Sequence, residues 1–268
     1  PHTFVRPLED AFWPKTLGTK EWENVDGKFW SGKVGAKAGW KLSKNVPENW
    51  EMEYQGIRFK ALPTPFRHLG FFPEQAPHWD FIEEKILART PEAGGRKIKF
   101  LNLFGYTGVA SLFALRAGAE VTHVDASKQI LKWVKENQKI SGLEDLPMRV
   151  LEDDVIKFME REIKRGNKYD AVIMDPPKFG RGPKGETWKI EESLPKLLSL
   201  IPKILNDKPL FVILTSYTTD SSSLSLRHAL SETMKDFSGN VEQGELCLEE
   251  KATKRLISLA HTALWSSK

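Results

Sequence analysis

From residue 98 onward the apolar positions follow two alternating rhythms. Short runs rich in apolar residues fall at 100–103, 120–124, 148–151, 169–174 and 210–215. Each is too short for a helix and is closed by turn-forming or charged residues, which predicts buried strands. Between them, apolar residues recur every three or four positions. That spacing predicts helices opening at Val109 (with Leu112, Phe113 and Arg116 on one face) and over 127–140, 155–165, 191–205 and 222–236. Strands alternating with helices predict a parallel, doubly wound α/β sheet. Residues 244–248 and 255–265 read as two more strands with a charged turn between them.

Upstream the rhythm is weaker. Residues 51–62 alternate well enough for a strand pair turning near Gln55-Gly56. Residues 79–88 read as a helix and 91–97 as a linker turn. Residues 1–49 are irregular, with repeated Gly, Pro and Lys. The chain therefore divides into a small N-terminal, β-containing module over 1–70 and an α/β domain over 71–268.

Four successive strands of the α/β domain end in residues suited to holding a ligand. The first runs through Asn102 into Phe104-Gly105-Tyr106-Thr107-Gly108 and a helix. Glycine lets backbone approach a ligand, and the free N–H groups of a helix start favour an anionic group. The second strand ends in Asp125-Ala126, where an acid can accept from a ribose diol. The third ends in Asp153-Asp154, where a side chain can meet an adenine amino group. The fourth ends in Asp175-Pro176-Pro177-Lys178-Phe179. Two prolines leave carbonyls unpaired and fix the backbone, which builds a rigid acceptor-rich rim. Asp-Pro also opens ordinary turns. A nicotinamide-binding domain would share the first two strand ends but needs G-x-G-x-x-G, and this turn has only Gly105 and Gly108.

Together these residues resemble the class I S-adenosylmethionine-dependent methyltransferases. The similarity is nearest to bacterial large-subunit ribosomal RNA methyltransferases, a group with a Phe-Leu-Asp-Gln-Arg stretch before the glycine turn. Here that stretch is Gly70-Phe71-Phe72-Pro73-Glu74-Gln75-Ala76, and the match runs from about residue 64 onward. The resemblance implies a Rossmann-like sheet of seven strands closed by a β-hairpin, with S-adenosyl-L-methionine as cofactor. It implies cofactor contacts from Phe72, Gln75, Asn102, Phe104, Gly105, Tyr106, Thr107, Gly108, Asp125, Ala126, Asp153 and Asp154. Asp175, Pro176, Pro177 and Phe179 become the catalytic candidates, and Lys178, Arg181 and Tyr217 the substrate-binding ones. Phe179 either stacks on a flipped-out base or packs beneath its loop. Lys178 and Arg181 either meet phosphate or stay solvated. The chain departs from the family at Ala76, where arginine is common, and its N-terminal RNA-binding module is not recognisable in residues 1–60.

Composition adds little contrast. Net charge is +4, and residues 1–70 hold eleven Lys and Arg against eight Asp and Glu. Trp13, Trp22, Trp30, Trp40 and Trp50 alternate there with Lys15, Lys20, Lys28, Lys33, Lys37, Lys41 and Lys44. Such interleaving suits stacking and phosphate contact. The plainer expectation is that most of these indoles form the module's core. No apolar run reaches the length of a membrane span. Cys247 is the only cysteine, so an internal disulfide and a thiolate metal site are excluded, and no metal is expected. The chain opens on Pro1, so a start methionine or an organellar leader is expected to have been removed; the expected compartment is the cytoplasm.

The acceptor is constrained by a missing thiol. Methylation at a pyrimidine C5 usually needs a cysteine to add at C6 first. The family's C5 branch carries that cysteine after the fifth strand, where this chain has residues 214–219, with Tyr217 at the matching position. Cys247 is expected to be a buried small hydrophobe. A nitrogen or oxygen of an RNA base, ribosomal RNA being the leading substrate, is the more consistent acceptor. A protein or small-molecule methyltransferase and a catalytically idle ribosome-assembly factor are the competing readings.

Overall fold

A computed structural model describes residues 2–8, 10–31, 38–89, 96–217 and 222–268. The N-terminal part is more regular than its composition suggests. Strand β1 (Phe4–Val5), helix α1 (Thr19–Glu23), β2 (Gly27–Trp30) and β3 (Gly39–Leu42) build a three-stranded sheet in the order β1-β2-β3. The expectation of irregular chain over 1–49 is corrected here; the strands are two to four residues long, too short to show a period. The expected core indoles are only half-buried. Phe4 stacks on Trp50 at 5.3 Å, and Trp40 meets Phe4 and Phe29 edge-on at 5.5 and 5.3 Å. Trp30 is 59% exposed. Lys33, Lys37 and most of the expected 91–97 turn lie outside the described residues.

The predicted strand pair is β4 (Trp50–Tyr54) and β5 (Ile57–Ala61). Gln55 and Gly56 both take positive φ, 49° and 79°, the turn whose twist suits a two-residue hairpin. Ile57 and Phe59 are buried in the same apolar core as Trp79, Ile82 and Phe113. Helix α2 (Ala76–Arg89) follows a single 3-10 turn at Pro73–Gln75.

The α/β domain continues as β6 (Lys99–Leu103), α3 (Val109–Arg116), β7 (Glu120–Asp125), α4 (Lys128–Ile140), β8 (Met148–Glu152), α5 (Val155–Lys164) and β9 (Ala171–Met174). A small antiparallel hairpin, β10 (Phe179–Arg181) and β11 (Thr187–Lys189), precedes α6 (Ile190–Ile204), β12 (Phe211–Ser216), α7 (Ser223–Thr233), β13 (Gly239–Glu249) and β14 (Leu256–Ser267). The sequence pattern does not announce β10–β11. The seven-stranded sheet runs in the order β13-β14-β12-β9-β6-β7-β8. Pairing is parallel from β12 through β8, and β14 is antiparallel to both of its neighbours.

The central strands β6, β9 and β12 are buried on both faces, which is why they read as mostly apolar runs. Their residues divide by period two. Phe100, Ile173 and Ile213 enter the core under α2, α3 and α4, while Leu101, Val172, Met174 and Leu214 enter the one under α5, α6 and α7. Burying a side chain of this size contributes roughly 1.5–3 kcal/mol. The order reverses between β6 and β9, so the carboxyl ends of these strands open a crevice where ligands bind in such sheets.

Candidate active site

The turn after β6 is held in a strained path. Phe104 and Tyr106 adopt φ of 57° and 50°, and Gly108 takes 87°. A left-handed conformation costs a non-glycine residue about 1–3 kcal/mol and persists only where the surroundings enforce it. The surroundings do so here. The Gly105 N–H donates to the Val124 carbonyl at 3.1 Å, and Tyr106 N–H donates to Asp125 Oδ2 at 3.0 Å. Thr107 Oγ1 donates to the Gly70 carbonyl at 2.7 Å, and Asn137 Nδ2 to the Thr107 carbonyl at 2.9 Å. Gly105 has a steric reason too: a Cβ there would meet the buried His123 ring at 2.3 Å. Asn102 lies below this loop and donates to Ser111 at 2.9 Å.

Asp125 ends β7 with both oxygens engaged: Oδ1 accepts from Ser127 N–H at 2.9 Å and Oδ2 from Tyr106. Burial pushes its carboxyl upward, opposed by these N–H groups. Asp154 caps α5, accepting from Lys157 N–H at 2.9 Å, and Asp153 pairs with Arg161. Both still face the crevice.

Asp175 closes β9 at the centre of a polar network. Gln75 Nε2 donates to Asp175 Oδ2 and to the Tyr217 hydroxyl, each at 3.2 Å. Gln75 Oε1 faces His78 Nδ1 at 2.9 Å, and His78 Nε2 faces Thr262 Oγ1 at 3.1 Å. An amide oxygen only accepts, so the His78 proton sits on Nδ1 and Nε2 accepts from Thr262. Burial lowers His78 to about 4, which keeps it neutral. Burial, and secondly the Glu74 charge, raise Asp175 to about 7. Burial also raises Glu74 and Tyr217. Pro177's carbonyl accepts from Trp188 Nε1 at 2.7 Å, so it serves the scaffold rather than standing unpaired.

A cavity of about 1180 Å³ lies over these strand ends. Among the predicted residues, its wall holds Phe72, Phe104, Tyr106, Asp125, Ala126, Asp153, Asp154, Asp175, Pro176, Pro177, Lys178, Arg181 and Tyr217. Gln75, Asn102, Gly105, Thr107 and Gly108 lie behind the wall and brace it. Phe179 is outside it, 55% exposed, with the Arg181 guanidinium 5.6 Å from its ring centroid. That exposure does not suit packing beneath the loop, and its neighbours Lys178 and Gly180 both line the cavity. Thr218 and Thr219, after Tyr217, are outside the described residues. Cys247 is half-buried rather than fully buried; it is no part of this wall, and burial raises its thiol.

Several wall residues carried no signal in the sequence. The N-terminal sheet and the residue after β1 supply Phe4, Phe29 and Arg6, while Trp13, Lys15, Trp22 and Lys28, also on the wall, belong to the interleaved aromatic and basic set visible in the sequence. The closing hairpin supplies Leu248 and Ile257. Glu74 and His68 were also passed over, because burial beside a ligand site is not visible in a single chain.

The sheet order, the strained glycine turn, the acid ending β7 and the Asp-Pro-Pro rim ending β9 define a class I S-adenosylmethionine-dependent methyltransferase. More narrowly, the chain belongs to the family described as conserved hypothetical protein 95, whose model matches residues 73–219. A crystal structure of a SAM-dependent methyltransferase from Agrobacterium tumefaciens is 40% identical, with a TM-score of 0.92 over 100% of this chain and 85% of that one. Ribosomal RNA large subunit methyltransferase I of Aeromonas salmonicida is 37% identical over 129 residues, 48% of this chain and 30% of that protein. Ribosomal RNA large subunit methyltransferase K/L of Pseudoalteromonas translucida is 31% identical over 128 residues, 47% of this chain and 18% of that protein. The matches thus span less than a third of these curated relatives. No helix among the described residues is long and apolar enough to cross a membrane.

Proposed function

We propose that this protein transfers a methyl group from S-adenosylmethionine to a nitrogen or oxygen of a base in structured RNA, with ribosomal RNA the leading candidate. The observation that carries the reading is the placement of Asp175 in one cavity with Asp125. That cavity, about 1180 Å³, exceeds the roughly 300–1,000 Å³ of a site for one small ligand. It has room for a cofactor and an acceptor group side by side.

The residues fit the cofactor. Asp125 has lone pairs left for a ribose diol after its two backbone bonds. Asp153 and Asp154 face the crevice where the adenine would lie. When bound, the cofactor supplies an activated methyl group on a positive sulfur. The protein's work is then placement, which can contribute several kcal/mol. Asp175, held by Gln75, accepts from an N–H of the acceptor and turns its lone pair toward the methyl group. A carboxyl near pH 7 can also take the proton that a methylated nitrogen releases. Trp188 fixes the rim from behind through Pro177.

RNA as the substrate class is supported by basic and aromatic residues around the same cavity. Arg6, Lys15 and Lys28 come from the N-terminal module, Lys178 and Arg181 from beyond the prolines, and Trp13, Trp22 and Phe29 stand among them. Residues 1–70 then act as the substrate module and 71–268 as the cofactor-binding domain. Nucleoside mass spectrometry of RNA from cells with and without the gene tests this. One methylated nucleoside should disappear, and purified protein with cofactor should restore it. An unchanged nucleoside profile refutes the RNA reading.

A further inference from the structure

The hydrogen bonds behind Asp175 can run in either of two directions. Thr262 Oγ1 lies 3.1 Å from His78 Nε2 and 3.2 Å from the Leu214 carbonyl oxygen. Its hydroxyl has one proton and can give it to only one of them. Gln75, His78 and Thr262 are all buried, so each polar atom in the chain depends on the partner the protein supplies.

With the hydroxyl turned to His78, Nε2 accepts and Nδ1 carries the imidazole proton. Nδ1 then donates to Gln75 Oε1 at 2.9 Å, and Gln75 Nε2 donates to Asp175 Oδ2 at 3.2 Å. This direction suits a carboxylate, which only accepts. With the hydroxyl turned to Leu214, every link reverses. Thr262 Oγ1 accepts from His78 Nε2, and Nδ1 accepts from a Gln75 amide turned over about its last side-chain bond. The amide oxygen then faces Asp175, which suits a carboxyl that carries a proton and donates it. A mixed direction sets donor against donor or acceptor against acceptor, the costly arrangement for buried groups.

We infer that His78 and Thr262 are positioning residues for methyl transfer: they set which face of the Gln75 amide meets Asp175, and the chain reverses when Asp175 takes up a proton. This rests on the reading that Asp175 receives the proton released by the acceptor. Neither residue lines the cavity. On reversal the imidazole stays neutral, since Nδ1 gives up a proton and Nε2 binds one, by exchange with solvent. Two titratable groups face Asp175, Glu74 from the 3-10 turn and Tyr217 after β12. Burial keeps the Tyr217 hydroxyl protonated.

The 15N chemical shifts of His78 tell its two neutral tautomers apart, and its signals are assigned by their loss in His78→Asn. Burial holds the ring neutral down to about 4, so pH 5 to 9 reports the tautomer alone. The Nδ1–H form should predominate at pH 9 and the Nε2–H form at pH 5, with the midpoint at that of Asp175, about 7. Asp175→Asn should hold one tautomer ratio throughout. Glu74→Gln should keep the reversal and move its midpoint down, because a like charge is gone. With RNA from cells lacking the gene, Thr262→Val should lower kcat about tenfold, the scale of one hydrogen bond, leave S-adenosylhomocysteine affinity within about twofold, and be rescued by Thr262→Ser. One tautomer in wild-type protein from pH 5 to 9, or a reversal that survives Asp175→Asn, overturns the inference. Wild-type protein inert on that RNA refutes the substrate reading instead, and the tautomer measurement then decides this one alone.

Discussion

Replacing Asp175 with asparagine should make the protein more stable and less active at once. In the fold, burial first and Glu74 second raise this carboxyl from 3.8 to about 7. A carboxyl with a raised folded pKa stabilises the fold in its protonated form. That contribution is complete below the unfolded value, near 4, and is lost as pH climbs through about 7. At about 1.36 kcal/mol per pH unit, the span sets a ceiling near 4 kcal/mol. Asp175 keeps some surface on an open cavity, so solvent screening reduces this to about 2 kcal/mol. Asparagine retains an oxygen to accept from Gln75 Nε2 and removes the charge that opposes Glu74. Urea unfolding of the ligand-free protein is the assay. At pH 8 the variant should be about 2 kcal/mol more stable, or melt roughly 4–8 °C higher, and the gap should fall to under half by pH 5. Methyl transfer should meanwhile drop by roughly 10²-fold as the acceptor loses its proton sink. A variant no more stable than wild type at pH 8, or a gap independent of pH, would refute the reasoning.

Asp125→Ala should weaken S-adenosylhomocysteine binding by about 1–3 kcal/mol, because ribose hydroxyls and the Tyr106 and Ser127 N–H groups lose their acceptor; unchanged affinity by calorimetry removes Asp125 from that role. RNA containing 5-fluorocytosine should form no covalent complex, and Cys247→Ser should keep nearly full activity, since trapping requires thiol addition at C6. A trapped complex on denaturing gels that vanishes in Cys247→Ser would restore a C5 mechanism.

The α/β half of the fold was legible because its central strands are buried on both faces and its helices are long. Helix α4 begins at Lys128 with Ser127 as its cap, and α5 begins at Val155 with Asp154 as its cap, each within a residue of the expected bounds. The N-terminal sheet was not legible, since a strand of two residues such as β1 has no period to read. Hairpin β10–β11 was hidden for the same reason. Within the site, strand-end acids and the glycine turn could be found, because their chemistry shows in residue type and place. Glu74 could not. Its sequence neighbours are Pro73 and Gln75, whereas its importance comes from Tyr217 and Asp175, which only the fold brings near.

The long-range bonds around the cavity also set the order in which a nascent chain can finish it. Thr16 reaches Glu250 across 234 positions, His78 reaches Thr262 across 184, and Gln75 reaches Tyr217 across 142. Arg255 lies over the Trp13 ring at 4.8 Å. A segment synthesised early, ahead of the whole α/β domain, is therefore a wall of the pocket that β13 and β14 complete. Such contacts of high sequence separation form slowly. Domains that fold during synthesis do so from the N-terminal side, yet here β1–β3 must wait for β13–β14 before the cavity has both of its sides. A chain interrupted before Thr262 can hold most of the central sheet without holding the finished pocket. Truncated products are thus expected to be inert rather than partly active.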